Sequence, residues 1–208
     1  MIAFDAVSNY TTDTQDENHT CSGSNRILFV GIQGDFTDTL SAVTYNGVAM
    51  TLVNKKVIPS DRWIYLMMLV NPASGSNVIH VTGPSFYTIA AVSYTGALQT
   101  DQPDANNTNS GSSITSLTTN VTTVVNNCWL VGMTSSNNGG FSTAGANTTR
   151  RGTNSGGLVA HDSNAVQTPP GSFGQTITAA SAQQAAMCIA SFKPAAEITG
   201  ANFFLLMQ

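Results

Sequence analysis

Short apolar runs recur about every ten residues along this chain, and Gly, Asn, Pro and Ser separate them. Several runs alternate apolar and polar positions, which is the pattern of strands with one face in a core. No segment has the pattern of a long amphipathic helix. The sequence therefore predicts an all-β protein, an antiparallel β-sandwich of jelly-roll type with two Greek-key halves. The predicted strands are 2–8, 26–33, 42–45, 48–53, 62–70, 77–82, 87–95, 114–124, 128–135, 158–162, 173–178 and 185–192.

The clearest local signal is the dipeptide Asn46-Gly47, which lies between two arms of alternating apolar and polar residues. Both residue types tolerate positive φ, as a type I′ turn requires. The alternation predicts a hairpin whose two arms share one apolar face. The apolar positions are Val43 and Tyr45 before the turn, and Val48, Met50 and Leu52 after it.

Two pairs of segments resemble each other in the same order along the chain. Residues 27–32 resemble residues 128–133, and residues 89–94 resemble residues 187–192. An internal duplication would produce this pattern, with equivalent strands in the two Greek-key halves. Convergence would produce it as well, because buried strands of any origin are apolar and contain small residues.

The length of 208 residues and the spacing of the runs predict one β-sandwich domain over residues 1–194. Residues 195–208 are predicted to form a C-terminal apolar arm or a last strand, because five consecutive apolar residues precede the final glutamine. Burial of each such side chain is worth roughly 1.5–3 kcal/mol, so the segment is expected to pack against protein. Two polar stretches, 100–113 and 135–157, are predicted to be long loops.

Only 9% of the residues are charged, against roughly 25% in an average soluble domain. Thr, Ser and Asn replace them, with 27, 21 and 19 copies. Nucleic-acid binding is not expected, because the net charge is −4 and the few Lys and Arg residues form no dense positive face. No apolar run is long enough for a membrane span. An enzyme is not expected either, since charged side chains perform most acid–base chemistry.

No nucleotide-binding, zinc-protease or serine-hydrolase motif occurs in the sequence. The histidines His19, His80 and His161 are far apart, and His80 is predicted to point to solvent from a strand. We therefore predict no catalytic residue, metal or cofactor, although a Ser-His-Asp site assembled from distant residues stays open. The cysteines are odd in number and widely spaced, so buried free thiols are favoured over a disulfide. They are Cys21, Cys128 and Cys188.

Two sets of residues are candidate contact sites. Phe141 lies in a Gly/Ser/Asn-rich stretch and is predicted to make an exposed surface contact. Trp63 and Tyr65 share one face of a strand, where core packing is favoured over a sugar-stacking platform. The C-terminal apolar residues are candidates for docking on a neighbouring subunit, although packing on their own sandwich is favoured. They are Phe203, Phe204, Leu205, Leu206 and Met207.

Several strand-and-turn segments resemble a loose family of small jelly-roll-like β-sandwich modules in phage virion proteins and bacterial surface proteins. The resemblance implies a β-sandwich with a structural or adhesive role, and it implies no catalytic residue. The C-terminal segment after Pro194 lies outside it. The segments are 23–31, 45–48, 69–72, 91–96 and 189–194.

These observations predict a virion structural protein, a capsid or capsid-decoration component, that acts by subunit assembly. Its expected partners are itself, as a homo-oligomer, and other virion proteins, because an uncharged surface avoids the cost of burying charges between subunits. The beginning of the chain has no signal-peptide pattern, so assembly in a host cytoplasm is expected. The alternative is a carbohydrate-binding or adhesin module, extracellular or at a cell surface, with a glycan as its partner.

Overall fold

The computed structural model describes residues 1–11, 15–34, 36–83, 88–153 and 157–196. Within these ranges the chain forms β-strands and no helix, which confirms an all-β antiparallel sandwich. The strands are β1 (Ala3–Thr11), β2 (Asp16–Cys21), β3 (Ile27–Gln33), β4 (Ala42–Tyr45), β5 (Val48–Ala49), β6 (Thr51–Val57), β7 (Trp63–Val70), β8 (Gly75–Thr82), β9 (Thr88–Thr95), β10 (Ala105–Thr122), β11 (Trp129–Ser136), β12 (Thr143–Ala144), β13 (Thr149–Thr153), β14 (Leu158–Asp162) and β15 (Ser172–Phe192).

Two central sheets have the same strand order. The first central sheet is β1-β9-β3-β7-β6, and the second is β10-β15-β11-β14-β13. A first outer sheet, β2-β8-β4-β5, covers one side of the first central sheet. In the second half, residues 115–122 of β10 and 172–178 of β15, with β12 beside β15, form the corresponding outer layer.

The two halves are therefore a structural repeat, apart from β5, which has no counterpart among the described strands of the second half. The long strand β10 corresponds to β1 followed by β2, and the long strand β15 corresponds to β8 followed by β9. Even an irregularity is repeated: the register of β6 shifts between Leu52 and Asn54, and that of β13 shifts between Arg150 and Gly152. Shared bulges favour duplication over convergence, because a bulge sits at a specific position in a ladder.

The pairing corrects one of the two sequence alignments by a single residue. Leu28 pairs with Ser93, and Leu130 pairs with Ser191 in the same way, so Ile27 corresponds to Trp129 rather than to Cys128. A shift of the alignment by one residue would match side chains that point to opposite faces of the strand. Only the corrected alignment places equivalent side chains on the same side of both sheets.

The apolar core lies between four layers, because each half forms its own pair of sheets. The central cluster joins the two halves and includes Phe29, Tyr94, Val131 and Phe192. A second cluster lies between the first central sheet and its outer sheet. Two smaller clusters occupy the corresponding space in the second half. Packing between the halves is close: a Cβ on Gly31 would lie 2.6 Å from Cγ of Met133.

The predicted hairpin is confirmed at its turn and altered along one arm. Asn46 and Gly47 have φ values of 50° and 74°, and β4 pairs with β5 across them. Val48 lies beside the turn and is 54% exposed, so it does not share the buried face. After β5 the chain crosses to the first central sheet, which leaves Leu52 45% exposed. The buried face consists of Val43, Tyr45 and Met50.

The two stretches predicted as long loops contain strands, so that prediction is wrong. Strand β10 begins at Ala105, and β12 and β13 lie within residues 135–157. The start of β10 is an edge strand whose Asn106 and Asn107 are exposed, and it pairs with β15 only. Such a strand needs no apolar alternation, which is why the sequence pattern did not reveal it.

Candidate functional site

An apolar groove lies where the C-terminal segment leaves the sandwich. Its volume is about 360 Å³, and the side chains of the described residues that line it are uncharged. It joins the beginning of the chain, the turn before β11, the turn after β14 and the residues after β15. The lining residues are Met1, Ile2, Asn127, Val166, Pro194, Ala195 and Ala196.

Hydrogen bonds fix the chain up to the edge of this groove. The amide of Ala195 donates to the carbonyl oxygen of Gly96 at 2.8 Å, and the Leu98 amide donates to the Lys193 carbonyl at 2.9 Å. The side chain of Gln102 binds both the amide and the carbonyl of Lys193. Residues 193–195 are therefore held against residues 96–102. This contact fixes the position of residues 194–196, which line the groove.

Glycine at position 96 allows the beginning of the chain to reach the same place. Gly96 has φ +72°, and a Cβ there would lie 2.0 Å from the carbonyl oxygen of Met1. Any other residue would push Met1 away, and the groove would lose one wall.

Exposed apolar side chains surround the groove. Val124, 68% exposed, and Val125 shortly precede the lining residue Asn127, while Met1 and Val166 are 87% and 39% exposed. The Gln167 amide donates to the Cys128 carbonyl at 2.7 Å, which holds the turn containing Val166 against the turn before β11. The surface at this end of the molecule is thus partly apolar, as is typical of a contact site.

The structure tests the predicted contact residues unequally. The predicted docking residues, 203–207, lie outside the described residues. Phe141 is fully buried among Leu117, Val159 and Met187, so the prediction that it is exposed is wrong. The Gly/Ser/Asn-rich stretch around it extends the outer layer of the second half beside β15, and Phe141 fills the space between that layer and the second central sheet. On β7 Tyr65 is buried, as core packing predicts, and Trp63 is half-buried.

The structure does bring a histidine, two serines and an aspartate together. Ser8 Oγ lies 2.9 Å from His19 Nδ1, and Ser93 Oγ lies 3.0 Å from His19 Nε2. The Ser93 hydroxyl donates to Asp5 at 2.7 Å, so it accepts from the His19 ring and leaves Nδ1 to accept from Ser8. Burial lowers the pKa of His19 to about 4, although Asp5 opposes this. Such an imidazole is a weak base at neutral pH.

The second half explains most of this cluster as architecture. There Ser191, the equivalent of Ser93, donates to Asp104 at 3.1 Å, and Asp104 also accepts from the Val124 amide. Asp5 accepts from the Ser22 amide in the same way. A serine–aspartate pair thus links the same strand ends in both halves. We interpret the His19 cluster as a variant of this structural link.

The other histidines also have structural partners. His161 is fully buried, and its Nδ1 donates to the side-chain Oε1 of Gln175 at 3.2 Å while Nε2 accepts from the Thr134 hydroxyl at 2.9 Å. Burial lowers the pKa of His161 to about 3. His80 is 41% exposed and lies 2.6 Å from Asp16, which confirms that it points to solvent.

The three cysteines are free and buried, as predicted. Burial raises the pKa of each thiol, that of Cys128 to about 12. Among the residues that the structure describes, no three His, Cys, Asp or Glu side chains are grouped to hold a metal ion. Within the same ranges no helix is long and apolar enough to span a bilayer.

Neither the known protein families nor the curated proteins contain a match to this sequence. The jelly-roll resemblance is therefore supported at the level of an antiparallel β-sandwich, and the link to phage and surface proteins stays a prediction.

The groove itself was not predicted. Its described residues come from four separate parts of the chain, namely its beginning, two turns and the residues after β15, so no motif marks them. The one available signal was Val166, an apolar residue within the polar turn between β14 and β15.

Proposed function

We propose that this protein is a non-catalytic structural component of a virion, a capsid or capsid-decoration protein, that acts by subunit assembly. The apolar groove at the exit of the C-terminal segment carries the proposal. Its occupant is the segment 203–207 of a second copy. The uncharged surface supports the same role, because contacts between copies then bury few charges.

The reach of the chain supports docking between copies. Six residues, 197–202, separate the wall of the groove from Phe203. They span at most about 20 Å when extended. A second copy whose groove lies within this distance can receive the segment, and we propose that arrangement.

The position of the groove also indicates the form of the assembly. Ala196, the last described residue before the donor segment, lines the acceptor groove, so two copies that exchange segments would place these ends together. Each copy then gives and receives the same contact, which produces a closed two-fold pair. We propose this pair as the unit from which the virion component assembles.

Removal of residues 203–208 is expected to convert the pair to a monomer without unfolding the sandwich. Light scattering at micromolar concentration measures the mass, and circular dichroism confirms the β-structure. The substitution Val166→Glu should have the same effect from the acceptor side, because it places a charge in the groove at a partly exposed position that the fold tolerates.

Val48→Glu is the matched control, since Val48 is similarly exposed but lies at the β4–β5 turn. It should leave the mass unchanged. A full-length chain that is monomeric, or a truncated chain that still forms the same pair, would refute assembly through this segment.

A further inference from the structure

The repeat provides an internal comparison, because features present in both halves belong to the scaffold and features present in one half need another explanation. The clearest one-sided feature is a cluster of aromatic and charged side chains at the end of the β6–β7 hairpin and the neighbouring β3–β4 loop. We call it the aromatic–ionic patch: Phe36, Asp38, Lys55, Arg62, Trp63 and Tyr65.

The ladders identify the equivalent positions in the second half for three members of the patch. No aromatic or charged residue occupies any of these positions. The fold therefore does not require the patch, and this half of the chain carries it in addition. The equivalent pairs are Lys55 and Thr153, Trp63 and Gly157, and Tyr65 and Val159.

Contacts within the patch hold its polar groups in place. Asp38 forms an ion pair with Lys55 and accepts a hydrogen bond from the Tyr65 hydroxyl at 2.8 Å. The Lys55 ammonium lies 5.3 Å from the centre of the Trp63 ring, whose plane is 25° from that of Tyr65. The hydrogen bond from Lys55 lowers the pKa of Asp38, so the carboxylate is ionised at neutral pH.

A second set of contacts extends the patch toward solvent. Phe36 is 64% exposed, and the Arg62 guanidinium lies 5.7 Å from the centre of its ring. Arg62 also lies 3.6 Å from the Asp61 carboxylate. The side chains of Lys55, Asp38 and Arg62 are 39%, 33% and 40% exposed, so both donors and acceptors reach solvent.

A cavity of about 100 Å³ adjoins these side chains. Asp38, Lys55 and Tyr65 form its polar side, and Leu40, Leu52 and Met67 are among the residues on its apolar side. This volume is below that of a typical ligand pocket, so the cavity can receive a polar group of a ligand whose ring lies outside it.

The balance of charges identifies the class of ligand. The patch and Asp61 together carry two cations and two carboxylates, so the site has no net preference for an anion or a cation. A ligand that fills it must both donate and accept hydrogen bonds beside aromatic rings. A sugar meets these requirements, since each hydroxyl group donates and accepts, and the C–H face of the ring packs on an aromatic surface.

We propose that the aromatic–ionic patch binds a neutral carbohydrate. The sugar ring packs on Phe36 and the exposed part of Trp63, while Lys55, Asp38 and Arg62 bind its hydroxyl groups. Tyr65 acts as a positioning residue, because it is buried and holds the Asp38 carboxylate. This site is separate from the apolar groove and does not depend on the proposed assembly.

Native electrophoresis in gels that contain laminarin, yeast mannan, galactomannan or alginate tests the proposal. The wild-type protein should be retarded by at least one of the three neutral polysaccharides. Phe36→Ala and Arg62→Gln should each weaken that binding about tenfold, the loss of one aromatic or charged contact. Titration of tryptophan fluorescence measures the affinity.

Val124→Ala is the matched control, because Val124 is an exposed apolar residue of the second half and its loss should leave sugar binding unchanged. Both test residues are exposed, so circular dichroism should show an intact fold in every variant. Absence of retardation in all three neutral gels, retardation by alginate alone, or full binding by Phe36→Ala would overturn the proposal. Since residues 203–208 are not involved, the truncated chain should bind the sugar like the full chain.

Discussion

At the scale of single residues, the two buried histidines make the stability of the protein depend on pH. Burial lowers the pKa of His19 to about 4 and that of His161 to about 3. In the unfolded chain both return to about 6.5. Between these values the unfolded state takes up protons that the folded state does not, so acidification favours unfolding.

The free energy of unfolding is therefore expected to fall as pH decreases from 6.5 toward 4. The slope is about 1.4 kcal/mol per pH unit for each histidine. Above pH 7 both states are neutral at these positions, and the histidines contribute no pH dependence. Urea denaturation at a series of pH values measures the slope.

His19→Gln and His161→Gln should each reduce the pH dependence of the free energy of unfolding by about 1.4 kcal/mol per pH unit. Glutamine keeps hydrogen-bonding capacity but does not titrate. His80→Gln is the control, because His80 is exposed on the outer sheet. An unchanged slope in the His19 and His161 variants would show that other groups bind the protons.

At the scale of the strands, the interface between the halves is symmetric in backbone but not in side chains. Asp162 on β14 is fully buried and accepts hydrogen bonds from Tyr94 on β9 and Arg151 on β13, at 2.9 and 2.7 Å. Burial raises the pKa of Asp162, although Arg151 and Tyr94 oppose this. The equivalent positions on the opposite side of the interface are apolar. They are Met68 for Asp162, Phe192 for Tyr94 and Val53 for Arg151.

This asymmetry predicts a non-additive set of substitutions. Arg151→Val alone should destabilise the fold by about 3 kcal/mol, because it leaves the Asp162 carboxylate buried without its cation. The triple variant Arg151→Val, Asp162→Met, Tyr94→Phe introduces the apolar residues of the equivalent positions. Its free energy of unfolding should lie within about 1 kcal/mol of that of the wild type. Chemical denaturation of both variants measures these differences. A triple variant as unstable as the single one would mean that the polar group cannot be replaced by packing.

The central and edge strands differ in how well the sequence pattern predicts them. Central strands such as β3 and β9 are buried on both faces, so their apolar runs were predictable. The Asn46-Gly47 turn was predictable because the backbone requirement of a type I′ turn is local. Edge strands such as β2 and the beginning of β10 were not, since most of their side chains are polar and only hydrogen bonding to a neighbour defines them.

At the scale of the whole molecule, the sequence repeat indicated duplication, but the number of layers could not be deduced from it. Two halves with similar strands can each contribute one sheet to a single two-layered sandwich. Alternatively, each half can form its own pair of sheets, and the two pairs can stack as four layers. The side chains on both faces of β3 decide this: Leu28 faces the outer sheet and Phe29 faces the other half. The apolar groove depends on this stacking, because residues of both halves line it, and no sequence motif marks them. The aromatic–ionic patch depends on contacts between a loop and a hairpin of the first half, and of its members the sequence pattern marked only Trp63 and Tyr65.

We propose that the protein works through contact, with its C-terminal apolar segment in the groove of a second copy. Cross-linking between copies tests this most directly. One copy carries Val166→Cys and a differently tagged copy carries Leu205→Cys, and a short bismaleimide is added to the mixture. The native cysteines are buried, so the wild-type protein should not react and serves as the control. We expect a cross-linked species that contains both tags. A cross-link that forms only within single chains carrying both substitutions would contradict the claim.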